Sequence, residues 1–244
     1  MFADRIPVGR VVSGGGYMAT DEEKEHVFQV IEQLVDAIVS EVAEGHYEAL
    51  TQEPQLTSKI AGAIEHTIKQ VDLGDLNVQV EVRDFPAQGR GALEGKVGAD
   101  VYISVAVIPE NREDVSKGML AQAKWDHSAK DPKLPEQIGK MMERSESSYV
   151  WVYGPNGVTC YPAGDYINPD SAGAGGQSVG SLIANGLRCK QGDRRIGRDL
   201  TKPLITSLNE IMEELGVLTA VSFTIREGKR RLRFYRRRRG RREG

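Results

Sequence analysis

An α/β fold is what this sequence predicts, and three observations predict it. Two stretches, one from Asp21 and one from Thr57, repeat apolar residues at i, i+3 and i+4, the spacing of a helix with one buried face. Five runs of strand length follow: Asn77–Asp84, Val101–Ile108, Gly118–Ala123, Ser148–Tyr153 and Val158–Pro162. A helical stretch between the third and fourth runs interleaves the two kinds of element.

The elements follow in order. Residues 1–20, with Ser13-Gly14-Gly15-Gly16, read as an irregular arm. Val27, Ile31, Leu34, Val35, Ile38, Val39 and Val42 then mark the first helix; Thr20 or Asp21 caps it and Gly45 stops it. The second helix covers Thr57–Val71, with Ile60, Ala61, Ile64, Ile68 and Val71 on one face and Glu65 beside it. In Asn77–Asp84, Val78, Val80 and Val82 alternate with polar residues, as in a half-buried strand. A Gly-rich turn leads into the hairpin Val101–Ile108 and Gly118–Ala123, whose loop carries Pro109, Glu110, Asn111 and Arg112. A helix over Leu134–Glu146 follows, with Pro135 in its first turn. Ser148–Tyr153 and Val158–Pro162 flank the turn Gly154-Pro155-Asn156-Gly157. Residues 164–180 read as a loop, Ser181–Leu187 and Leu200–Leu215 as helices with Gly216 ending the last, and Val217–Arg226 as a strand.

Composition narrows the function classes. No apolar run is long enough to span a bilayer, and the first ten residues lack a signal peptide's apolar segment, so no membrane partner and a cytoplasmic setting are expected. Two cysteines, Cys160 and Cys189, are too few for a disulfide scaffold or a zinc ribbon. The net charge of −3 hides an asymmetry: residues 229–244 hold ten Lys/Arg and one Glu, giving +9 and leaving −12 for the first 228 residues. Such a tail binds polyanions or docks on the acidic body. Arg230, Arg231, Arg233, Arg236, Arg237, Arg238 and Arg239 are its candidate nucleic-acid contacts, and Phe234 and Tyr235 add stacking capacity.

The candidate chemistry lies in the hairpin. Asp100 precedes the first strand; Gln122 and Lys124, two residues apart on the second, point to one face. An acid, an amide and an amine converging there suit a metal-dependent hydrolase. Magnesium held by a few oxygen ligands can activate water, neutralise a phosphate and assist a leaving alkoxide. Asp100 is the anionic ligand in this reading, Gln122 offers a carbonyl oxygen, and Lys124 aims positive charge where negative charge develops. A plainer reading stands beside it: Asp100 caps a turn and Lys124 is a solvated edge charge. The histidines have no ligand spacing, and the glycine cluster within residues 172–176 lacks the Lys-Ser/Thr of a phosphate loop.

Gly98-Ala99-Asp100, a strand, a turn and Gln122-Ala123-Lys124 resemble the core of the PD-(D/E)XK, or restriction-endonuclease-like, nuclease superfamily. They resemble in particular its D…QxK branch, found in type IV restriction enzymes that attack modified DNA. The resemblance covers roughly residues 56–163 and rests on the order helix, strand, Asp-bearing strand, QxK strand, helix, strand. It implies an α/β fold with a mixed β-sheet core flanked by helices, helical additions at both ends and a basic C-terminal tail. The divisions are 1–55, an arm and helix; 56–163, the nuclease-like core; 164–228, C-terminal helices and a strand; and 229–244, the Arg-rich tail. It also implies a Mg²⁺-dependent (or Mn²⁺-dependent) DNA endonuclease of prokaryotic antiviral defence. A homodimer to cut both strands and a defence-system partner protein go with that reading. The main-chain carbonyl of Ala123 joins Asp100 and Gln122 as a metal ligand. Gln in place of the usual Glu removes one negative charge, for which Glu65 is the expected compensation, with Glu94 competing; Gln137 contacts phosphate or water. Two alternatives remain: a catalytically inactive DNA-binding or assembly protein on the same fold, and an RNA-binding protein acting through its tail.

Overall fold

The computed structural model describes residues 19–50, 52–69, 76–85, 96–110, 112–128, 131–166 and 175–227. Glu94 and the seven tail arginines lie outside the described residues. Helix α1 (Asp21–His46) starts at a capping box: the Glu23 N–H donates to Thr20 Oγ1 (3.2 Å) and the Thr20 N–H to the Glu23 carboxylate (2.7 Å). Helix α2 (Glu53–Ile68) follows, then β1 (Asn77–Asp84), β2 (Val101–Ile108), β3 (Val115–Trp125), α3 (Leu134–Arg144), β4 (Ser148–Gly154) and β5 (Gly157–Pro162). The chain continues through α4 (Ala163–Tyr166), β6 (Gln177–Ser178), α5 (Val179–Leu187), a 3-10 turn at Arg194–Ile196, α6 (Leu204–Leu215) and β7 (Thr219–Arg226).

The strands form one mixed sheet in the order β1-β7-β2-β3-β4-β5-β6. The expected hairpin is present: β2 and β3 are antiparallel, with Val101 opposite Ala121. β3 runs parallel to β4, and β7 runs parallel to β2 and antiparallel to β1. Inserting β7 between β1 and β2 means that the sheet is completed by a strand from outside 56–163. Its run Thr219–Ile225 is buried on both faces, as in a central strand, although Thr219, Ser222 and Thr224 interrupt its apolar residues.

Several boundaries move, each for a local reason. α2 begins at Glu53 rather than Thr57, because Pro54 suits a first helical turn; it runs to Ile68, and the expected end at Val71 lies outside the described residues. α6 begins at Leu204 rather than Leu200, since Asp199 holds Thr201 in a turn and Pro203 precedes the helix. β3 extends beyond Gly118–Ala123 at both ends because it is paired on both sides, by β2 and by β4. The expected loop 164–180 includes β6 and the start of α5, capped by Ser178.

Two buried clusters sandwich the sheet. One joins α1, α2 and α5 to Val101, Ile103, Met119, Trp151, Val221 and Phe223. The other joins α3 and α6 to Tyr102, Leu120, Val150 and Ala220. Alternation along β2, β3 and β7 therefore sends odd-numbered residues to the first face and even-numbered ones to the second. Gln122 and Lys124 share the second face with Leu120.

Candidate active site

The candidate site stands at one end of the sheet, where β2 begins and β3 ends. The first turn of α2 closes it from one side and α3 from the other. A cavity of about 240 Å³ is lined there by Glu53, Asp100, Gln122, Ala123, Lys124 and Gln137, among others. Asp100 is held by the hairpin itself: its main-chain N–H donates to Ala121 O (2.9 Å), and one carboxylate oxygen accepts from Ala123 N–H (3.0 Å). The same oxygen accepts from Gln122 Nε2 at 2.5 Å. Gln122, 3% exposed, therefore has its amide nitrogen on Asp100, while its Oε1 is buried without a partner. Gln137 Oε1 is likewise buried and unpartnered. Two acceptor oxygens without donors at one cavity mark a place where a cation or a donor group belongs.

Gly98 sets α3 against this end. It adopts φ +69°, and a Cβ there would lie 2.5 Å from the Gln137 carbonyl oxygen, so only glycine allows the approach.

Lys124 is 8% exposed and lines the cavity, but its Nζ is bound at 2.6 Å to Asp131, in the segment before α3. Asp131 also accepts from Lys133 N–H (2.9 Å). The Lys124 hydrogen bond, then that N–H, hold the Asp131 carboxyl below its ordinary range.

Glu65 is not part of this group. Twelve residues of helix, about 18 Å, separate it from Glu53, and its Oε1 accepts from Val82 N–H (3.0 Å) and Lys69 Nζ (2.8 Å). Burial raises its pKa, but Lys69 and the Val82 N–H outweigh that and hold it low. Its role is to occupy a backbone donor on edge strand β1. Glu53 stands at the cavity instead. Burial above all raises the Tyr153 pKa, and the charges of Asp100 and Glu53 raise it further, so both acids lie within electrostatic reach of one phenol. Pro54 was the signal that would have found Glu53, since a helix starting there carries its acid in the first turn.

The oxygens of Glu53, Asp100, Gln122 and the Ala123 carbonyl are hard donors of the type that suits Mg²⁺ or Mn²⁺. Among the described residues no cluster of three or more His, Cys, Asp or Glu is arranged to hold a metal, so neutral oxygens have to complete any such set. His127 lies outside the cavity lining, stacked on Trp125 at 6.0 Å. Cys160 is buried, and burial pushes its thiol pKa up, away from nucleophile chemistry.

A larger cleft of about 470 Å³ opens between α1 and the β4–β5 turn, but its charged side chains are Asp36 and Asp126. Its lining has no cationic side chain to meet a phosphate, whereas the smaller cavity has Lys124 beside its two acids, so the smaller cavity is the better candidate. No helix among the described residues is long and apolar enough to cross a membrane. Comparisons with protein-family models, with curated proteins and with solved structures find no match to this chain.

Proposed function

We propose that this protein is a metal-dependent nuclease that hydrolyses DNA phosphodiester bonds, with Glu53, Asp100, Gln122 and Lys124 as its working residues. The observation that carries the reading is their convergence, from the first turn of α2 and both strands of the hairpin, on one cavity. A Mg²⁺ ion held there would supply an activated water and neutralise the phosphate. Glu53, Asp100, Gln122 Oε1 and the Ala123 carbonyl are the oxygens that would hold it. Lys124 contributes a positive charge where charge develops as water adds to phosphorus and the P–O bond to the leaving alcohol breaks. Asp131 orients that ammonium. The Arg-rich tail adds sequence-independent affinity for the backbone. A homodimer supplies the second cut of a duplex, and defence against foreign DNA is the setting that the family resemblance suggests.

A second reading has its own observation. The Gln122 amide nitrogen already satisfies Asp100, an arrangement that needs no metal. In that reading the protein binds DNA without cutting it.

Supercoiled plasmid incubated with Mg²⁺, Mn²⁺ or EDTA separates the two. The nuclease reading expects metal-dependent nicking that falls by about 10²–10³-fold in Lys124→Ala and also falls in Glu53→Gln. Nicking that survives in both variants overturns the assignment of the site. DNA retardation without cleavage, unchanged by EDTA, supports the second reading.

A further inference from the structure

A second polar group, Arg198 with the serine and threonine hydroxyls around it, lies inside the molecule and plays no part in the proposed chemistry. Arg198 is 5% exposed. Its Nη2 donates to the hydroxyl of Thr224 (2.8 Å), and its Nε is buried without a partner. Among the described residues it forms no ion pair. The charge it feels besides the Tyr102 phenol is another cation, Arg226, and burial lowers its pKa first of all. A guanidinium taken out of water with no carboxylate beside it is strongly destabilising, and such groups normally coordinate a counter-charge.

The sheet around it is polar to match. Ser104 on β2 pairs with Ser222 on β7, and one step along, Ala106 lies between Ser116 on β3 and Thr224 on β7. All four hydroxyl residues are even-numbered and share the α6 face. Ser104, Ser222 and Thr224 are fully buried, and the hydroxyl oxygens of Ser104, Ser116 and Ser222 have no hydrogen-bond partner. Ser104 is close enough to Tyr102 to influence its ionisation, but the Tyr102 hydroxyl donates to Ile196 O (2.7 Å). Ala106 provides a small floor between Ser116 and Thr224. The result is an uncompensated cation, an idle Nε–H and three unpartnered hydroxyls on adjacent strands. Each hydroxyl can donate to an anion, and together they supply the donors that a tetrahedral oxyanion accepts.

We propose that Arg198, Ser104, Ser222, Ser116 and Thr224 form an internal binding site for a small phosphate-type oxyanion, with Arg226 at its rim. Burial excludes a nucleic-acid backbone, so the ligand is a free anion such as inorganic phosphate or sulfate. Bound there, it neutralises Arg198 and ties β2, β3 and β7 to the segment that carries Arg198.

The test is thermal unfolding of the full chain in phosphate, sulfate and chloride at matched ionic strength. Phosphate or sulfate at about ten times its dissociation constant is expected to raise the melting temperature over chloride by about 3–5 °C. Arg198→Met keeps the tail, so any increment that the tail arginines cause survives in it, whereas the increment from this site disappears. Should Arg198→Met not fold, Ser222→Ala removes one hydroxyl only and is expected to shift the phosphate midpoint about fivefold upward. Equal melting temperatures in all three salts overturn the proposal. So does an increment that persists unchanged in Ser222→Ala together with Arg198→Met, or a crystal grown in phosphate that shows only water beside Arg198.

Discussion

The two faces of the sheet are built on different terms. Towards α1, α2 and α5 the interior is almost wholly apolar, with Ile31, Leu56, Ile60, Ile64, Ile103, Met119 and Phe223 all fully buried. Towards α3 and α6 the same strands bury Ser104, Gln122, Lys124, Arg198, Ser222 and Thr224. Unpartnered buried oxygens and nitrogens follow the same division. Those of Ser104, Ser116, Gln122, Gln137, Arg198, Asn209 and Ser222 belong to the polar side, and that of Trp151 to the apolar one. Burying unpaired polar groups lowers stability, so a fold carries them where they do something else. The contrast places dense apolar packing on one face and the buried polar groups on the other.

That division is tested most sharply by paired truncations. Ile31→Ala, on the apolar face, is expected to lower stability by about 2–5 kcal/mol in urea unfolding while leaving the nicking activity of the folded protein intact. Gln122→Met, on the polar face, removes an unpartnered oxygen and one donor to Asp100, which keeps the Ala123 N–H, and is expected to lower stability by only about 1–2 kcal/mol while nicking is lost. A large loss of stability from Gln122→Met would show that the polar face is part of the structural core after all.

The next effect in size concerns the close approach of Gly98 to α3 at the site end. Gly98→Ala forces a left-handed conformation on a residue with a Cβ and drives that carbon into the Gln137 carbonyl. The expected loss is about 2–3 kcal/mol of stability, accompanied by reduced nicking because α3 shifts away from Asp100. Full activity in a stably folded Gly98→Ala protein would mean that α3 has no part in the site.

The smallest effect is electrostatic. The Asp131 carboxyl is held low by Lys124, so its contribution to stability is complete above the ordinary carboxyl value of about 4 and is lost as pH falls through the lowered folded value. Asp131→Asn is expected to flatten the stability profile between about pH 5 and 2, by less than about 1 kcal/mol. Unchanged acid unfolding in this variant would remove Asp131 as the anchor of Lys124.

Much of the site was legible before any fold was known. Asp100, Gln122 and Lys124 are linked by strand periodicity, which is local: two-residue spacing puts Gln122 and Lys124 on one face, and a hairpin brings Asp100 beside them. Gln137 came from the family resemblance, which expects a Gln on the helix after the QxK strand, and it does line the cavity. Glu65 came from the same resemblance, which expects an acid on the helix before the core sheet; the α2 acid at the cavity is instead Glu53, one turn before the Thr57 where apolar spacing starts the helix.

By itself the sequence determined most element types, the presence of the hairpin and the contrast between acidic body and basic tail, since each depends on neighbours along the chain. Tertiary structure alone decided the rest. Glu53 lines the cavity, and Asp131 reaches Lys124, only because α2 and the segment before α3 are brought to one end of the sheet. Arg198 meets Thr224 only because β7 inserts between β1 and β2, more than a hundred residues from each strand it separates. Periodicity carries no record of such distant pairing; it arises when a strand buried on both faces finds the one gap in the sheet that satisfies its backbone on both sides.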